Sequence, residues 1–361
     1  MKSNTLFTFV VLMIAAYSVQ AAERPKPTEP PVSHFQGTCD SDPDGKKFAE
    51  KACYTSYNPG RAGMDGGYRP PACDKRKVSD QQKEVLAKAY SRAPDYMKGK
   101  LCRLTQLFVT KANLWGPWGW GFWEGADRPP GKGVYLAISD SELATRKSVA
   151  ETENETVDRL VQLRGRFDRA RLLRLRSSAP ADPELTVLAG LAHELGHILL
   201  ADSNGDGVDP AHPRREVSGP PQSACFEDAF INASWDSRRF HQNMRRWVDF
   251  GEQYNNRPKN PDVSLSRLRT LARQGRVGAA NDVIRSVYSS HEFTSPAAIP
   301  NPIEDVAETY KYKVLADATP NQAIEFRLGG QDVNVSDLLN SDVLAKKVEC
   351  LRALGFLTGQ P

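Results

Sequence analysis

Two histidines four residues apart are the clearest sign of chemistry in this 361-residue sequence, in the segment His193-Glu194-Leu195-Gly196-His197. Residues at this spacing share one face of a helix, so both imidazoles can reach a single metal ion. Glu194 would lie beside them, where its carboxylate can hold a metal-bound water and accept its proton. The HExxH pattern therefore predicts a zinc site with a general base, while two histidines packed in an ordinary core are the alternative.

The helix that must carry these residues has a clear beginning. Asp182 is a suitable N-cap and Pro183 fits the first helical position. Leucines and a valine follow at helical spacing, so we predict a helix over 183–201. The residues after it exclude the metzincin class, which requires glycine and histidine at the positions occupied here by Leu200 and Ser203.

A second predicted helix offers the third ligand. Asn301 and Pro302 are typical of a helix start, and Glu304 and Glu308 follow four residues apart on one face. Like charges at this spacing are mildly destabilising unless a cation lies nearby. In one interpretation Glu304 binds the metal and Glu308 accepts the second ring N–H of a ligating histidine. In the other, Glu304 completes a capping box with Asn301 and Glu308 faces solvent.

HExxH followed by PxEDxAE, here residues 193–197 and 302–308, resembles the gluzincin branch of zinc peptidases, particularly the lethal-factor-like exported enzymes. The stretch between the two segments is longer than the compact spacing usual in that group. The resemblance implies a Zn²⁺ ion, a supporting outer glutamate and a general-base glutamate. The residues carried over are the ligands His193, His197 and Glu304, the outer Glu308, and the base Glu194.

One position departs from that group, which often carries a tyrosine seven residues before the ligand glutamate, in a context like FxSxYA. That tyrosine helps to stabilise the tetrahedral intermediate, and this chain has Ala297 in its place. Loss of one such donor typically costs about 10²- to 10³-fold in rate. His291 and Tyr310 are the first candidates for a replacement, followed by Tyr288 and Tyr312. Without one, the protein is slow or has lost the reaction.

The residues after the HELGH segment form a second candidate cation site. Acidic or amide side chains lie at alternate positions and are followed by glycine, as at the start of a calcium loop. The twelfth position, where an EF-hand has a bidentate glutamate, is Pro213. An Asp/Gly-rich turn that ends the helix explains the same residues equally well. The candidate Ca²⁺ ligands are Asp202, Asn204, Asp206 and Asp209.

The beginning of the chain and its cysteines predict an exported protein, secreted or periplasmic. Residues 1–21 combine a lysine, an apolar run and a small-residue site ending at Ala21, which is typical of a cleavable signal peptide. No later stretch is apolar and long enough to predict a membrane span. The six cysteines, an even number, predict disulfides. Pairing in sequence order gives Cys39–Cys53, Cys73–Cys102 and Cys225–Cys350.

The arginine-rich stretch 164–176 is the one basic concentration in a chain of net charge +4. Leucines and a phenylalanine are interspersed with the arginines, which indicates an amphipathic helix with a solvated basic face. No recognition motif or aromatic interleaving accompanies it. We therefore expect no nucleic acid as a partner, and the resemblance to zinc peptidases implies a peptide or protein substrate.

These patterns together predict an α+β protein, with a mostly helical zincin-like domain and a small sheet packed on the HExxH helix. Residues 133–139 form the predicted strand, to which an extended substrate could pair by strand addition. The Trp-rich segment 115–125 is interpreted as a rigid loop on the core, with a sugar-binding platform as the alternative. Further helices are predicted over 81–92, 95–109, 154–176, 226–254, 264–274, 279–289, 302–316 and 343–354.

Four regions follow from this interpretation: a signal peptide (1–21), a Pro/Gly/Cys-rich segment (22–75), a zincin-like catalytic domain (76–316) and a C-terminal extension (317–361). We expect an exported zinc-dependent metallopeptidase. One alternative is a secreted zinc-binding interaction protein with little or no catalysis, which Ala297 favours. A cell-wall amidase, whose Trp-rich loop would hold sugar, is the other.

Overall fold

A computed structural model describes most of the chain between Phe35 and Thr358, and residues 118–124 as backbone. The expected signal peptide, positions 162–170 of the arginine-rich stretch and positions 204–210 of the calcium loop lie outside the described residues. The described residues are 35, 37, 39–56, 72–111, 118–124, 132–144, 146–161, 171–177, 180–203, 223–236, 258–320 and 324–358.

Helices account for most of the described chain. They are α1 Lys46–Ala49, α2 Asp80–Arg92, α3 Asp95–Leu101, α4 Asp140–Leu143, α5 Val149–Val161, α6 Pro183–Ser203, α7 Ala224–Phe226, α8 Leu265–Arg273, α9 Val277–Ser289, α10 Pro302–Ala318, α11 Val335–Leu339 and α12 Asp342–Ala353. A π-helix, Glu227–Asn232, continues α7. The strands are β1 Ala52–Thr55, β2 Gln106–Thr110, β3 Trp118–Glu124, β4 Lys132–Ser139, β5 Leu175–Ser177, β6 Glu325–Leu328 and β7 Gln331–Asn334.

The strands form two small sheets. The first has the order β1-β2-β4-β3, in which the first three strands are parallel and β3 is antiparallel to β4. The second is the antiparallel sheet β5-β6-β7. Strands β3 and β4 pack against α6, the helix that carries the histidines. The predicted α+β class, with a small sheet on that helix, is confirmed.

The position of β4 corrects two expectations. Leu136 pairs with Leu107 of β2 on one side and with Trp120 of β3 on the other, so the backbone of β4 is already used on both edges. Strand addition at 133–139 was therefore a wrong prediction, and among the described strands β3 is the one at the edge on this side. The interpretation of the Trp-rich segment as a loop is also wrong for Trp118–Glu124. Its Gly-Trp alternation has the two-residue period of a strand.

Helix α3 ends earlier than the sequence predicts. It stops at Leu101, and Gln106–Thr110 forms β2 in the middle of the first sheet. Leu107, Phe108 and Val109 are all buried there. A short apolar run that is buried on both faces of a sheet has no alternation to distinguish it from a buried helix. The predicted helix 154–176 is also wrong at its C-terminal end, because Leu175–Ser177 is a strand.

Helices α6 and α10 cross at very short range. A Cβ added to Gly196 would lie 2.8 Å from the Cα of Ala307, so a residue larger than glycine does not fit without movement. Helix α10 is itself buried on most sides, as its interior residues show. This crossing brings the acidic face of α10 against the two histidines of α6.

Three disulfides join the described cysteines: Cys39–Cys102, Cys53–Cys73 and Cys225–Cys350. The last pair is confirmed, whereas the other two predicted pairs are wrong. A two-way backbone bridge between Tyr54 and Asp74 brings together the segments that contain Cys53 and Cys73, whose Cα atoms are 5.4 Å apart. Pairing in sequence order ignores such bridges, which form between segments distant in the chain.

The C-terminal region packs back on the rest of the chain. Helix α12 contacts α10 and is tied to α7 by the Cys225–Cys350 disulfide. Helix α10 runs through Ala318, and the predicted domain division after residue 316 stays a prediction. Among the described residues, no helix is long and apolar enough to cross a membrane.

We predict that Gly196→Ala lowers the free energy of unfolding by about 1–3 kcal/mol, because the added methyl group must displace Ala307. Urea denaturation of the metal-free protein measures this change. Gly278→Ala is the matched control, since a Cβ there meets no atom within 4 Å. That control should be neutral or stabilise the protein by up to about 1 kcal/mol. Equal stability of the two variants would contradict the tight crossing.

Candidate metal centre

Three side chains converge where α6 and α10 cross. The Nε2 atoms of His193 and His197 are 3.2 Å apart, and each is 3.5 Å from Oε2 of Glu304. A tetrahedral ion with bonds of about 2.1 Å holds its ligand atoms about 3.4 Å apart. The triangle therefore has the size that one divalent metal ion requires. His193, His197 and Glu304 are the group of potential metal ligands found among the described residues.

The start of α10 decides between the two interpretations of Glu304. Asn301 caps the helix, and its side chain accepts hydrogen bonds from the backbone N–H groups of Ile303 and Glu304. The side chain of Glu304 does not turn back to complete a capping box. It points at the histidines. Burial would raise the pKa of Glu304, but the neighbouring His197 and His193 hold it below the usual range. The capping-box interpretation is therefore wrong.

Glu308 lies behind His193 and is 1% exposed, so it does not face solvent. Its Oε1 is 2.7 Å from Nδ1 of His193. Ser295 donates to its Oε2, and Nζ of Lys311 is 2.7 Å from both oxygens. Burial would raise the pKa of Glu308, but Lys311 and His193 outweigh it and lower the pKa to about 2. Glu308 is therefore an acceptor, which makes Nδ1 of His193 the donor and turns Nε2 toward the other ligands.

Glu194 follows His193 on α6 and is half-buried. Burial raises its pKa, and the neighbouring His193 and His197 offset this only in part. A carboxylate with a raised pKa is a suitable proton acceptor near neutral pH. Solvent reaches the cluster, since the side chains of His193 and Glu304 are 21% and 30% exposed. One side of the cluster is therefore open to solvent.

No hydrogen bond or ion pair among the described residues joins either replacement expected for the missing tyrosine to the cluster. His291 is exposed, and its backbone carbonyl accepts a hydrogen bond from Ser341. Tyr310 is fully buried, with its ring edge-on to Tyr96. Six residues at 100° each place it about 120° around α10 from Glu304. A catalytic role for His291 or Tyr310 stays a prediction.

Ala297 is buried, and its backbone N–H donates to Oγ of Ser295, the residue that also donates to Glu308. The segment that carries a tyrosine in the resembling peptidases therefore lies beside the site, but it presents no phenol at this position. Tyr288 and Tyr312 are both buried and lie near Glu153 and Glu308, whose charges add to burial in raising their pKa.

The calcium interpretation gains nothing from the described residues. Asp202 lies within the last turn of α6, close enough to influence the pKa of Lys100, which burial lowers. Asn204, Asp206 and Asp209 lie outside the described residues.

Three residues behind the cluster were missed by sequence reasoning: Lys311, Ser295 and Glu153. Lys311 lies three residues after Glu308 on α10, and this pairing could have been found from helical spacing. Ser295 stands in the FxSxYA-like segment but had no assigned role. Glu153 lies 158 residues from its partner Lys311, and no sequence pattern connects them.

Comparison of the chain with protein families, with curated proteins and with solved structures finds no match in any of the three. The geometry of the cluster is therefore the basis for assigning a function.

We predict that metal uptake releases about one proton per chain at about pH 7.5, and progressively less as the pH rises through 9. Burial would lower the pKa of His193, but the hydrogen bond to Glu308 and the charges of Glu194 and Glu304 raise it to about 9. The metal-free site is thus protonated at neutral pH, and the ion must displace this proton. Calorimetry with Zn²⁺ in buffers of different ionisation enthalpy measures the release.

The control is Glu308→Gln, which removes the charge that most strongly favours protonation of His193. Proton release in this variant should decrease at the same pH. Identical release in the variant and the natural chain would contradict the assignment of the proton to His193.

Proposed function

We propose that this chain is an exported zinc metallopeptidase that hydrolyses peptide bonds. The observation that carries the proposal is the triangle of His193, His197 and Glu304, with Glu194 beside it. These are the residues by which the sequence resembles the gluzincins, and the resemblance supplies the class of reaction. The disulfides are compatible with export into an oxidising compartment.

The composition of the cluster favours zinc in a catalytic role. Two imidazoles and one carboxylate are a ligand set of catalytic zinc sites, whereas structural zinc sites are closed by four protein ligands. The side chains are also accessible to solvent on one side. A closed structural site would have no need of this access.

The ion and the residues of the chain would contribute different parts of the reaction. Bound zinc would supply a Lewis acid that polarises the substrate carbonyl. Glu194 takes a proton from the attacking water and later transfers it to the leaving amine, a role that its raised pKa suits. Glu308 keeps the ring of His193 in one orientation through the 2.7 Å hydrogen bond.

Strand β3 is the place where an extended peptide substrate would bind. It is the outer strand of the first sheet, pairs with β4 on one side and packs against α6. Strand addition satisfies the backbone of an extended peptide without regard to its side chains. The edge that lies close to the histidine helix therefore supports a peptide rather than a small molecule as substrate.

One observation favours a second candidate function, a secreted zinc-binding interaction protein with little catalysis. Ala297 carries no phenol, and no hydrogen bond among the described residues joins His291 or Tyr310 to the ligand cluster in its place. The two candidates share the metal site and differ only in turnover.

We predict that the purified chain cleaves members of a diverse peptide library and that a chelator stops this cleavage. Glu194→Gln keeps the shape of the side chain but removes the base, so the rate should fall about 10²- to 10⁴-fold while zinc content is unchanged. Cleavage that persists in Glu194→Gln would contradict the proposed mechanism. Zinc binding without cleavage of any peptide would favour the interaction protein.

Glu304→Ala tests the third ligand in the same preparation. Zinc content, measured by atomic emission after dialysis, should fall sharply in this variant. Glu184→Ala, in the first turn of α6 with a side chain that is 25% exposed, is the control and should keep its zinc. Full occupancy in Glu304→Ala would show that another residue is the third ligand.

A further inference from the structure

A buried chain of charged groups runs from His193 away from the ligand cluster. Nδ1 of His193 contacts Glu308 at 2.7 Å, Glu308 contacts Nζ of Lys311 at 2.7 Å, and Lys311 contacts Oε1 of Glu153 at 2.5 Å. Glu308, Lys311 and Glu153 are all buried. The chain thereby links α6, α10 and α5.

Stability alone does not explain this arrangement. Removing charges from water costs several kcal/mol per ion, and replacing a buried ion pair with well-packed apolar residues is often neutral or stabilising. Glu153 also keeps an oxygen, Oε2, with no hydrogen-bond partner among the described atoms. A buried hydrogen-bond network with an unpaired polar atom lowers the stability of the fold, so a role beyond packing is the better explanation.

The contacts of Lys311 define that role. Its ammonium group is equidistant from both oxygens of Glu308, at 2.7 Å from each, and this fixes the plane of the carboxylate. Without it, Glu308 would be held only by Ser295 and by His193 itself. Glu153 holds Lys311 from the opposite side.

We propose that Lys311 and Glu153 are positioning residues for the ligand His193, and that metal affinity depends on this buried pair. The inference rests on the proposed zinc site. Lys311 fixes Glu308, and Glu308 in turn fixes the ring whose Nε2 would bind the ion. The orientation of a ligand on α6 is thus set in part by α5, a helix with no ligand among its own residues.

A second buried ion pair, which joins α10 to α12, provides a matched control. Nζ of Lys347 is 2.6 Å from Oδ2 of Asp305, and both side chains are 0% exposed. The other partners of this pair are Trp235, Thr309 and the backbone carbonyl of Glu292, none of which is a candidate ligand. It resembles the Lys311 pair in burial and charge but does not touch the histidines.

Two charge-balanced double variants of the full chain test the inference. Lys311→Met/Glu153→Gln removes the positioning pair, and Lys347→Met/Asp305→Asn removes the control pair. Zn²⁺ affinity is measured by competition with a chromophoric chelator, and ligand geometry by the absorption spectrum of bound Co²⁺. We expect Zn²⁺ to bind at least about tenfold more weakly to the first variant, with a changed Co²⁺ spectrum. The control variant should stay within about twofold of the natural chain, with an unchanged spectrum.

Equal losses in the two variants would show a merely structural role and overturn the inference, as would unchanged affinity and spectrum in the first. If the natural chain binds no Zn²⁺, the proposed function fails and the inference with it. If the natural chain binds Zn²⁺ and Lys311→Met/Glu153→Gln binds it equally well, only the inference fails.

Circular dichroism of the metal-free proteins shows whether each double variant folds. Where one does not, the isosteric single variants Glu153→Gln and Asp305→Asn carry the same comparison. We then expect about a threefold loss of Zn²⁺ affinity for Glu153→Gln and none for Asp305→Asn. No difference between these two would overturn the inference.

Discussion

The close crossing of α6 and α10 is the constraint on which the candidate site depends. Gly196 lies so near Ala307 that a methyl group would come within 2.8 Å of its Cα. Ala307 stands between Glu304 and Glu308 in the sequence, so the same contact brings both carboxylates to the histidines of α6. The glycine of HELGH therefore determines the distance between the helices, while its neighbours supply the chemistry. Two helices separated by ordinary side chains would hold these groups too far apart to share an ion.

Charge is the second constraint, and it follows from the first. The crossing gathers the carboxylates of Glu194, Glu304 and Glu308 around the two histidines, with the buried Lys311 paired to Glu308. Without an ion, His193 holds a proton, because these negative charges outweigh its burial and raise its pKa to about 9. A divalent cation can take over this compensation. Binding of an ion would thus also relieve the repulsion between the carboxylates.

Much of this site could be predicted from the sequence, because it depends on local rules. Asp182 and Asn301 cap their helices, and helical spacing puts His193 with His197 and Glu304 with Glu308 on shared faces. The fold class followed from the same rules.

The wrong and the missing predictions concern contacts between distant segments. The strand β2 resembles a buried helix in its apolar run, the pairing of Cys53 with Cys73 follows from a backbone bridge, and Glu153 meets Lys311 only in the folded chain. Tyr310 had the right residue type in the right segment, but its side of α10 faces Tyr96.

The central claim is that His193, His197 and Glu304 hold one metal ion between α6 and α10. X-ray absorption spectroscopy of the purified, zinc-loaded protein tests it most directly. The account predicts one zinc per chain, with two imidazole nitrogens and at least one oxygen at about 2.0–2.2 Å and no sulfur ligand. The signature of imidazole scattering should weaken by about half in a His197→Ala variant. Zinc bound by sulfur, or by oxygen atoms alone, would contradict the account.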